Sequence, residues 1–546
     1  MTKLFDSISH VGARRGETPC FTTIDQCEAW LNALPVTNIS EANKALSDQL
    51  IALAANPLAP LPHITILETL LTTIVFVQTE YEKKIATKAL PLSSTGEQAF
   101  NDICRLWHRL GQSYSSILSC SLDGNKEVES LLPLMCQRSM ACCVELIKDH
   151  YRIHRQIGSN LWFQLHGYYE IAEVRGFTDV GVTQRPGSEI KVTTCKATYA
   201  ESLLLDIAGP YNLSQWEFDT CCQLVKQWAY KLQLTSVPED SNVMPYAIDL
   251  SSDTGPEYSK PRNASDSIRY LGVSKIAASL LSFIEKLSNN QEPAEKDLTT
   301  NHAENSYPEL LNYLNEHWCT GRSQRKFERH ETSHQVQACT GFEFICHFID
   351  NKASEKKIRK GPYNWEGPDL SYMGRQFDAS TIYFSNSNIV FAIENWHVRN
   401  GSKTGFYLTR SVKGARLAHG QLVAIRSPNR ACFFLCHVRR LKQKENGTVD
   451  LGVQVLPGAP MTIAIRTAGI SAAKAQKFTP AILLETKPGR KGQLSLILPH
   501  GWYSPGKTIE ISGEDTVYFT LDKLIARGSD FDQVSFVPVS KPTSAV

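Results

Sequence analysis

Two short stretches, Ala431-Cys-Phe-Phe-Leu-Cys-His-Val438 and Val449-Asp-Leu-Gly-Val-Gln-Val455, decide the fold of the C-terminal half. Both are rich in the β-branched, aromatic and other apolar residues that are frequent in strands. Between them lies Glu445-Asn446-Gly447, which is typical of a hairpin turn. A third run, Gln421-Leu-Val-Ala-Ile-Arg426, precedes them and is separated from them by Pro428-Asn429. Short strands at this spacing predict a closed antiparallel β-barrel.

The β pattern continues towards the C-terminal end of the chain. Runs of the same type occur within residues 461–540, at Ala481–Leu484, Leu494–Leu498, Thr508–Ile511 and Val517–Leu521. The segment Gly506-Lys-Thr-Ile-Glu-Ile511 is similar to Gly420-Gln-Leu-Val-Ala-Ile425, so this second β unit is interpreted as a degenerate relative of the first. We expect it to have a structural role, covering an edge of the first barrel or packing against it.

The N-terminal half has helical periodicity instead, from about residue 25 to residue 235. Apolar side chains recur three and four residues apart in three sets: Leu67, Leu70, Leu71, Ile74, Val77 and Tyr81; Ala99, Ile103, Leu106, Trp107, Leu110 and Tyr114; and Met140, Val144, Ile147 and Tyr151. We interpret them as packing surfaces between helices. Ser214-Gln-Trp-Glu217 is a capping box that predicts the start of a further helix.

These patterns predict a multidomain α+β chain, with an all-α helical N-terminal half followed by an antiparallel β-barrel and a further C-terminal β unit. We expect a helical domain at residues 1–235 and a small irregular or helical module with a linker at residues 236–318. The first barrel is expected at residues 319–466 and the C-terminal β-rich unit at residues 467–546. A helical array suits the docking of a protein partner, although function does not follow from the architecture alone.

The bulk composition excludes several classes of protein. The chain has 546 residues, of which 42% are apolar and 21% charged, and its net charge is +2, which favours neither a general nucleic-acid binder nor a disordered chain. Its fifteen cysteines are scattered and are expected to be reduced and buried. The histidines and cysteines between residues 317 and 347 do not have zinc-site spacing, so no metal is expected. The first residues lack an apolar signal core and no long uncharged apolar run follows, so we expect a cytoplasmic protein without a membrane span.

Two motifs carry the functional information of the sequence. Arg325-Lys-Phe-Glu-Arg329 lies just before the predicted barrel, and Asn400-Gly-Ser402-Lys-Thr-Gly405 follows within it. In this order they form an R-x-x-x-R plus N-x-S-x-x-G pair, which resembles the signature of the PilZ domain over roughly residues 320–466. PilZ-like domains are small β-barrels that bind the bacterial messenger cyclic di-GMP. The resemblance therefore implies a cyclic di-GMP receptor in bacterial second-messenger signalling.

The residue types of both motifs suit this ligand. An arginine guanidinium matches the O6 and N7 acceptors of guanine, pairs with phosphate and stacks on a purine face. Asn400 and Ser402 lie two residues apart in a strand, so they share one face, and Gly405 permits a close backbone approach. The resemblance assigns ligand binding to Arg325, Arg329, Asn400, Ser402 and Gly405, with Arg322 as an additional candidate contact.

Alternatives to a receptor stay open at this stage. Asn400 stands where aspartate is commoner in the family. Taken separately, the first motif is better explained by solvated arginines at the start of a domain, and Asn400-Gly401 by a turn. The first alternative is a non-enzymatic protein-interaction scaffold whose PilZ-like domain no longer binds ligand, and a single-stranded nucleic-acid binder is a weaker one. No Ser/His/Asp, Cys/His or paired-carboxylate spacing indicates an enzyme, and no cofactor is expected.

Overall fold

The computed structural model describes residues 18–86, 88–122, 126–183, 192–238, 246–258, 266–289, 307–320, 330–353, 384–386, 389–391, 393–402, 404–411, 414–428, 433–468, 478–485, 494–511 and 517–540. The chain divides into two compact units. One lies within residues 1–324, and the other is formed by residues 325–546 together with residues 89–91.

The first unit is mainly helical, as the sequence predicts. Its helices are α1 (Ile24–Asn32), α2 (Ile39–Ala55), α3 (Pro60–Glu82), α4 (Ser94–Leu122), α5 (Leu132–Arg152), α6 (Leu161–Val174), α7 (Cys195–Ile207), α8 (Gln215–Trp228), α9 (Ser274–Ser288) and α10 (Tyr307–Trp318). The predicted capping box is present at the start of α8, where Ser214 accepts from the Glu217 amide and Glu217 accepts from the Ser214 amide. Side-chain caps of this kind satisfy amides that a helix start otherwise leaves unpaired.

The core of this unit is built from the three predicted apolar stripes. Every member of the three stripes is buried, which confirms that α3, α4 and α5 face other helices. A polar contact joins the same three helices: Arg138 on α5 makes a bidentate pair with Glu68 on α3, with both N–O distances at 2.8 Å. Tyr114 on α4 donates to the same carboxylate at 2.7 Å. The buried guanidinium also donates to Gln137 Oε1 and to the Thr183 carbonyl, so its donors are satisfied and the cost of its burial is offset.

Among the residues of this unit that the structure describes, two helices are long and apolar enough, by length and composition, to cross a membrane: Pro60–Glu82 and Val128–Arg152. In the structure, 44% and 72% of their apolar windows are buried. Core helices pass the same test, and Glu68 and Arg138 pair within these two segments. The expectation that no segment spans a membrane stays a prediction.

Short strands supplement the helices. β1 (Val182–Thr183) pairs with β2 (Val192–Thr193). A four-stranded antiparallel sheet has the order β3-β6-β4-β5 and contains β3 (Gln233–Thr235), β4 (Tyr246–Asp249), β5 (Glu257–Tyr258) and β6 (Ile268–Gly272). The sequence predicted only an irregular module or hairpin here, because the proline and glycine positions conceal how the short apolar runs pair.

The second unit contains two closed six-stranded antiparallel barrels, which confirms the predicted fold class. The first barrel consists of β7 (His330–Thr340), β10 (Ile393–Ser402), β11 (Gly405–Arg410), β12 (Leu422–Arg426), β13 (Phe434–Gln443) and β14 (Val449–Val455). Between β7 and β10 lie helix α11 (Phe342–Ala353) and the pair β8 (Phe384–Asn386) and β9 (Ile389–Phe391). The second barrel consists of β15 (Ala459–Thr467), β16 (Thr479–Glu485), β17 (Ser495–Pro499), β18 (Thr508–Ile511), β19 (Val517–Arg527) and β20 (Phe531–Val539).

The two barrels have the same topology. If the six strands of each are numbered along the chain, their order around both barrels is 1-2-3-6-5-4. The similar segments found in the sequence occupy the same place, since Gly420 and Gly506 precede the fourth strand with φ of 78° and 73°. The Gly420 amide donates to the Val438 carbonyl and the Gly506 amide to the Leu521 carbonyl, each at 3.0 Å. Both acceptors lie in the fifth strand of their barrel. The second barrel is therefore a structural repeat of the first.

The barrels share one apolar core. Its buried members include Leu422, Ala424 and Leu435 from the first barrel, Ile482, Leu484, Ile497 and Phe531 from the second, and Ile345 and Cys346 from α11. Two hydrogen bonds add to this contact: the Leu422 amide donates to Asp530 at 2.8 Å and the Ser529 amide donates to the Gly420 carbonyl at 2.9 Å. The expected packing of the second β unit against the first is observed.

The cysteines of the described segments are free thiols, and most of them are buried. Burial raises the pKa of Cys27 to about 11 and that of Cys143 to about 12, so these thiols stay protonated at neutral pH. They act as small apolar side chains, as predicted.

Candidate functional site

The N-x-S-x-x-G motif forms the hairpin between β10 and β11. Asn400 is paired with Tyr407, and Ser402 with Gly405. Both Asn400 and Ser402 are partly exposed, and they lie two residues apart in β10, so they share the outer face of the barrel. Inner positions next to them, such as Val398 and Leu408, are buried. The hairpin therefore presents the two polar side chains of the motif on one surface.

A β-bulge precedes Asn400. The register of β10 shifts between Val398 and Asn400 in its pairing with both β11 and β7. Arg399 is the extra residue and is exposed. Bulges of this kind redirect side chains and are common near binding sites. This one changes the strand alternation, so that Val398 points into the barrel while Asn400 lies on its outer face.

Strand β7 follows the first motif along the chain and pairs with the strand in which the second begins. It begins at His330, which is paired with Gly401, and its next residue, Glu331, is paired with Asn400. The arginine segment ends at Arg329, the residue directly before this strand. Arg322, Arg325 and Arg329 themselves lie outside the described residues, so their part in the site stays a prediction. The fold nevertheless starts the strand after them beside the N-x-S-x-x-G hairpin.

Gly405 is required by the close approach of two strands. A Cβ atom built on it would lie 2.4 Å from the Val453 carbonyl oxygen of β14, far closer than real contacts allow. Its backbone φ does not require glycine, so the reason is space alone. The close backbone approach that this glycine permits is that of β11 to β14, and its part in ligand binding stays a prediction.

Ser402 already has local hydrogen bonds. Its hydroxyl accepts from the Thr404 amide at 3.3 Å, lies 3.3 Å from the Thr404 hydroxyl and can donate to the Gly405 carbonyl at 3.5 Å. Contacts of this type stabilise a turn through a short polar side chain. Ser402 therefore shapes the hairpin, and its partly exposed position also leaves it on the candidate ligand surface.

Tyr407 is a residue of this surface that the sequence motifs do not include. Its hydroxyl donates to Asp450 Oδ2 at 2.7 Å, and Lys444 Nζ lies 3.1 Å from the same carboxylate. Burial, followed by the hydrogen bond and charge of Asp450, raises the pKa of Tyr407 to about 12, although Arg440 and Arg399 oppose this rise. The hydrogen bond to Asp450 therefore holds the Tyr407 ring in place. The phenol is neutral, and the charges of Arg440 and Arg399 act on it.

Arg439 and Arg440 on β13 are further sources of positive charge, and the structure separates their positions. The register of β13 and β14 shifts between Val438 and Arg440, which leaves Arg439 as the exposed bulge residue. Arg440 is paired with Gly452 and is partly buried. Only Arg440 belongs to a cross-strand row that continues to Asn400.

Within the described part of the chain, no group of three or more His, Cys, Asp or Glu side chains is arranged to hold a metal ion. His334 of the histidine-rich segment lies in the extended strand β7. The candidate site is therefore a polar and basic surface on the first barrel, suited to an anionic ligand with hydrogen-bonding edges.

Both ends of the chain are similar to domains of a known protein family. Residues 25–239 match the family model of the N-terminal domain of the cyclic-di-GMP receptor FimW, and residues 463–539 match the model of the FimW C-terminal beta-barrel domain. The cyclic-di-GMP receptor FimW of Pseudomonas aeruginosa is 19% identical, in an alignment covering 96% of this chain and 92% of that protein. No solved structure matches the chain. The candidate hairpin lies between the two matched ranges.

Proposed function

We propose that the chain is a receptor for cyclic di-GMP, because residues 25–239 and 463–539 match the N-terminal and C-terminal domain models of the cyclic-di-GMP receptor FimW. The nucleotide binds to the outer face of the first barrel at the β10–β11 hairpin, in a PilZ-like site. The observation that carries this placement is the register of β7, which starts beside Asn400 and Gly401 directly after the arginine segment.

The chemistry of the ligand fits these groups. Each guanine offers O6 and N7 acceptors and a Watson–Crick edge with donors, and the ring of the dinucleotide bears two phosphodiester anions. Arg325 and Arg329 supply forked donors for guanine or phosphate, and the amide of Asn400 can donate to and accept from a guanine edge. Asn400 brings no charge, so here the positive groups near the site are not offset by a carboxylate at that position.

The helical unit docks a protein partner in this proposal, and ligand binding changes that interaction. The arginine segment follows α10 (Tyr307–Trp318) after a few residues, so a ligand bound by the segment restricts the chain that leaves this helix. A ligand shifts the balance between two states of a protein only if it binds one of them more tightly. The partner-binding state must therefore have a different affinity for the nucleotide.

Titration calorimetry of the full chain tests the receptor function. We expect saturable binding of cyclic di-GMP and much weaker binding of GTP and GMP, which have only one base. Asn400→Ala should weaken the binding, whereas Asn446→Ala, in the exposed β13–β14 turn, serves as the matched control and should not. Absence of heat at tens of micromolar ligand would contradict the proposal and leave the scaffold function as the alternative.

A further inference from the structure

The candidate site continues across the barrel beyond the motif residues. Asn400 on β10 is paired with Tyr407 on β11, Tyr407 is paired with Gly452 on β14, and Gly452 is paired with Arg440 on β13. Directly paired residues point to the same face of a sheet, so these four form one lateral row on the outer surface. The adjacent inner row, which includes Leu408, Leu441 and Leu451, is fully buried, as expected from the strand alternation.

Gly452 allows Arg440 to lie across the row. A Cβ atom built on Gly452 would lie 2.8 Å from the Arg440 Cβ and 3.7 Å from its Cγ and Cδ. The aliphatic part of Arg440 therefore occupies the space that a side chain at residue 452 would take. Its positive charge partly offsets the rise in the pKa of Tyr407, the next side chain in the row.

Tyr407 is held as a fixed aromatic surface beside this guanidinium. Its hydroxyl donates to Asp450 Oδ2, and Lys444 Nζ lies 3.1 Å from the same oxygen, so the phenol position is set by the barrel. Neighbouring strands lie about 4.8 Å apart, which puts Tyr407 one strand and Arg440 three strands from Asn400. The stem of Arg440 lies against Gly452, which is paired with Tyr407. A ligand with two bases and two phosphates, held at Asn400, is large enough to extend over this part of the row.

On the premise of the proposed function, we propose that Tyr407 and Arg440 are further ligand-binding residues of this site. One guanine stacks on the Tyr407 ring, and the Arg440 guanidinium pairs with the adjacent phosphodiester. Aromatic and arginine stacking and forked pairing to phosphate are the usual means by which proteins hold purine nucleotides. The arginine segment supplies cations from outside the barrel, whereas Arg440 is a cation built into it.

Matched charge-removing variants of the full chain test this assignment. Arg440→Gln removes the charge and keeps much of the stem over Gly452, and Arg439→Gln removes the same charge from the exposed bulge residue next to it. We expect Arg440→Gln to weaken cyclic di-GMP binding about 5- to 150-fold, the range of one lost stack or forked contact. Arg439→Gln should change the affinity less than about twofold, because the charge of Arg439 is exposed to solvent and is screened by salt.

Tyr407→Leu provides an independent test, since it keeps an apolar side chain but removes the stacking surface. It should weaken binding by a similar factor, and a thermal melt of each variant identifies any that do not fold. Equal losses in the two arginine variants would mean a general field effect and would overturn the assignment, as would unchanged affinity in Arg440→Gln. A wild-type chain that does not bind cyclic di-GMP refutes the proposed function instead, so the two failures are distinguishable.

Discussion

Replacing Gly405 with alanine should loosen the hairpin of the candidate site. The added Cβ would lie 2.4 Å from the Val453 carbonyl oxygen and 3.4 Å from its carbonyl carbon. Both are backbone atoms, so no side-chain rotation relieves the contact, and β11 must move away from β14. Overpacking of this kind costs about 1–3 kcal/mol.

Hydrogen exchange measured by mass spectrometry on the ligand-free full chain detects this effect locally. Since every 1.4 kcal/mol corresponds to a factor of ten, the amides that pair β11 with β14 should exchange about 5- to 150-fold faster than in the wild type. Peptides spanning residues 405–410 and 449–455 report on these amides. Peptides from the second barrel should not change.

Gly401→Ala is the matched control in the same hairpin. Its Cβ would lie 3.1 Å from Cδ1 of Phe406, a partly exposed side chain that can shift by a few tenths of an ångström. We expect little change in exchange. If Gly405→Ala exchanges as slowly as the wild type, or Gly401→Ala speeds exchange equally, then the close approach of β11 to β14 does not require glycine at residue 405.

Three further predictions follow from the arginine segment, from Asp530 and from the shared core. Arg325→Ala and Arg329→Ala should each weaken cyclic di-GMP binding in calorimetry by about 1–3 kcal/mol, with lysine restoring only part, and unchanged affinity in the double variant would remove them from the site. Burial raises the pKa of Asp530 from 3.8 to about 6. Between these two values the folded protein keeps a proton on Asp530 that the unfolded chain has lost. The free energy of unfolding should therefore fall as pH rises from about 4 to 6 and then level off. Thermal melts at pH 4 and pH 7 should show no such pH dependence of stability in Asp530→Asn, whereas the exposed control Asp522→Asn should keep it. A pH dependence that survives in Asp530→Asn would contradict the assignment to Asp530. A fragment with the first barrel alone should aggregate, because cutting between the barrels exposes the shared apolar core. A fragment with both barrels should unfold cooperatively in calorimetry. A soluble, folded single barrel would show that the shared core is dispensable.

Local patterns were enough to predict most of the elements. The helical stripes, the capping box at Ser214 and the runs at residues 421–426 and 449–455 were found because the side-chain period of an amphipathic segment depends on its own backbone. Helix α11 (Phe342–Ala353) was missed. Its phenylalanines and isoleucines follow a β-rich run directly, and its burial depends on packing between the two barrels.

The sequence located the candidate site in part. It indicated the hairpin residues Asn400, Ser402 and Gly405, since a motif is a local signal. Tyr407 and Arg440 become neighbours of the motif only through the pairing of four strands and through bulges at Arg399 and Arg439. Register over such distances along the chain is set by barrel closure, which no local pattern encodes.

A comparison of hydrogen exchange in the full chain with and without cyclic di-GMP tests whether the nucleotide binds on the first barrel. We expect slower exchange in peptides covering residues 393–411 and the start of β7 when the ligand is saturating. The topologically equivalent hairpin of the second barrel, β16–β17, has no N-x-S-x-x-G motif and should be unchanged. Protection confined to the second barrel or to the helical unit, with none at residues 393–411, would contradict the placement of the site on the first barrel.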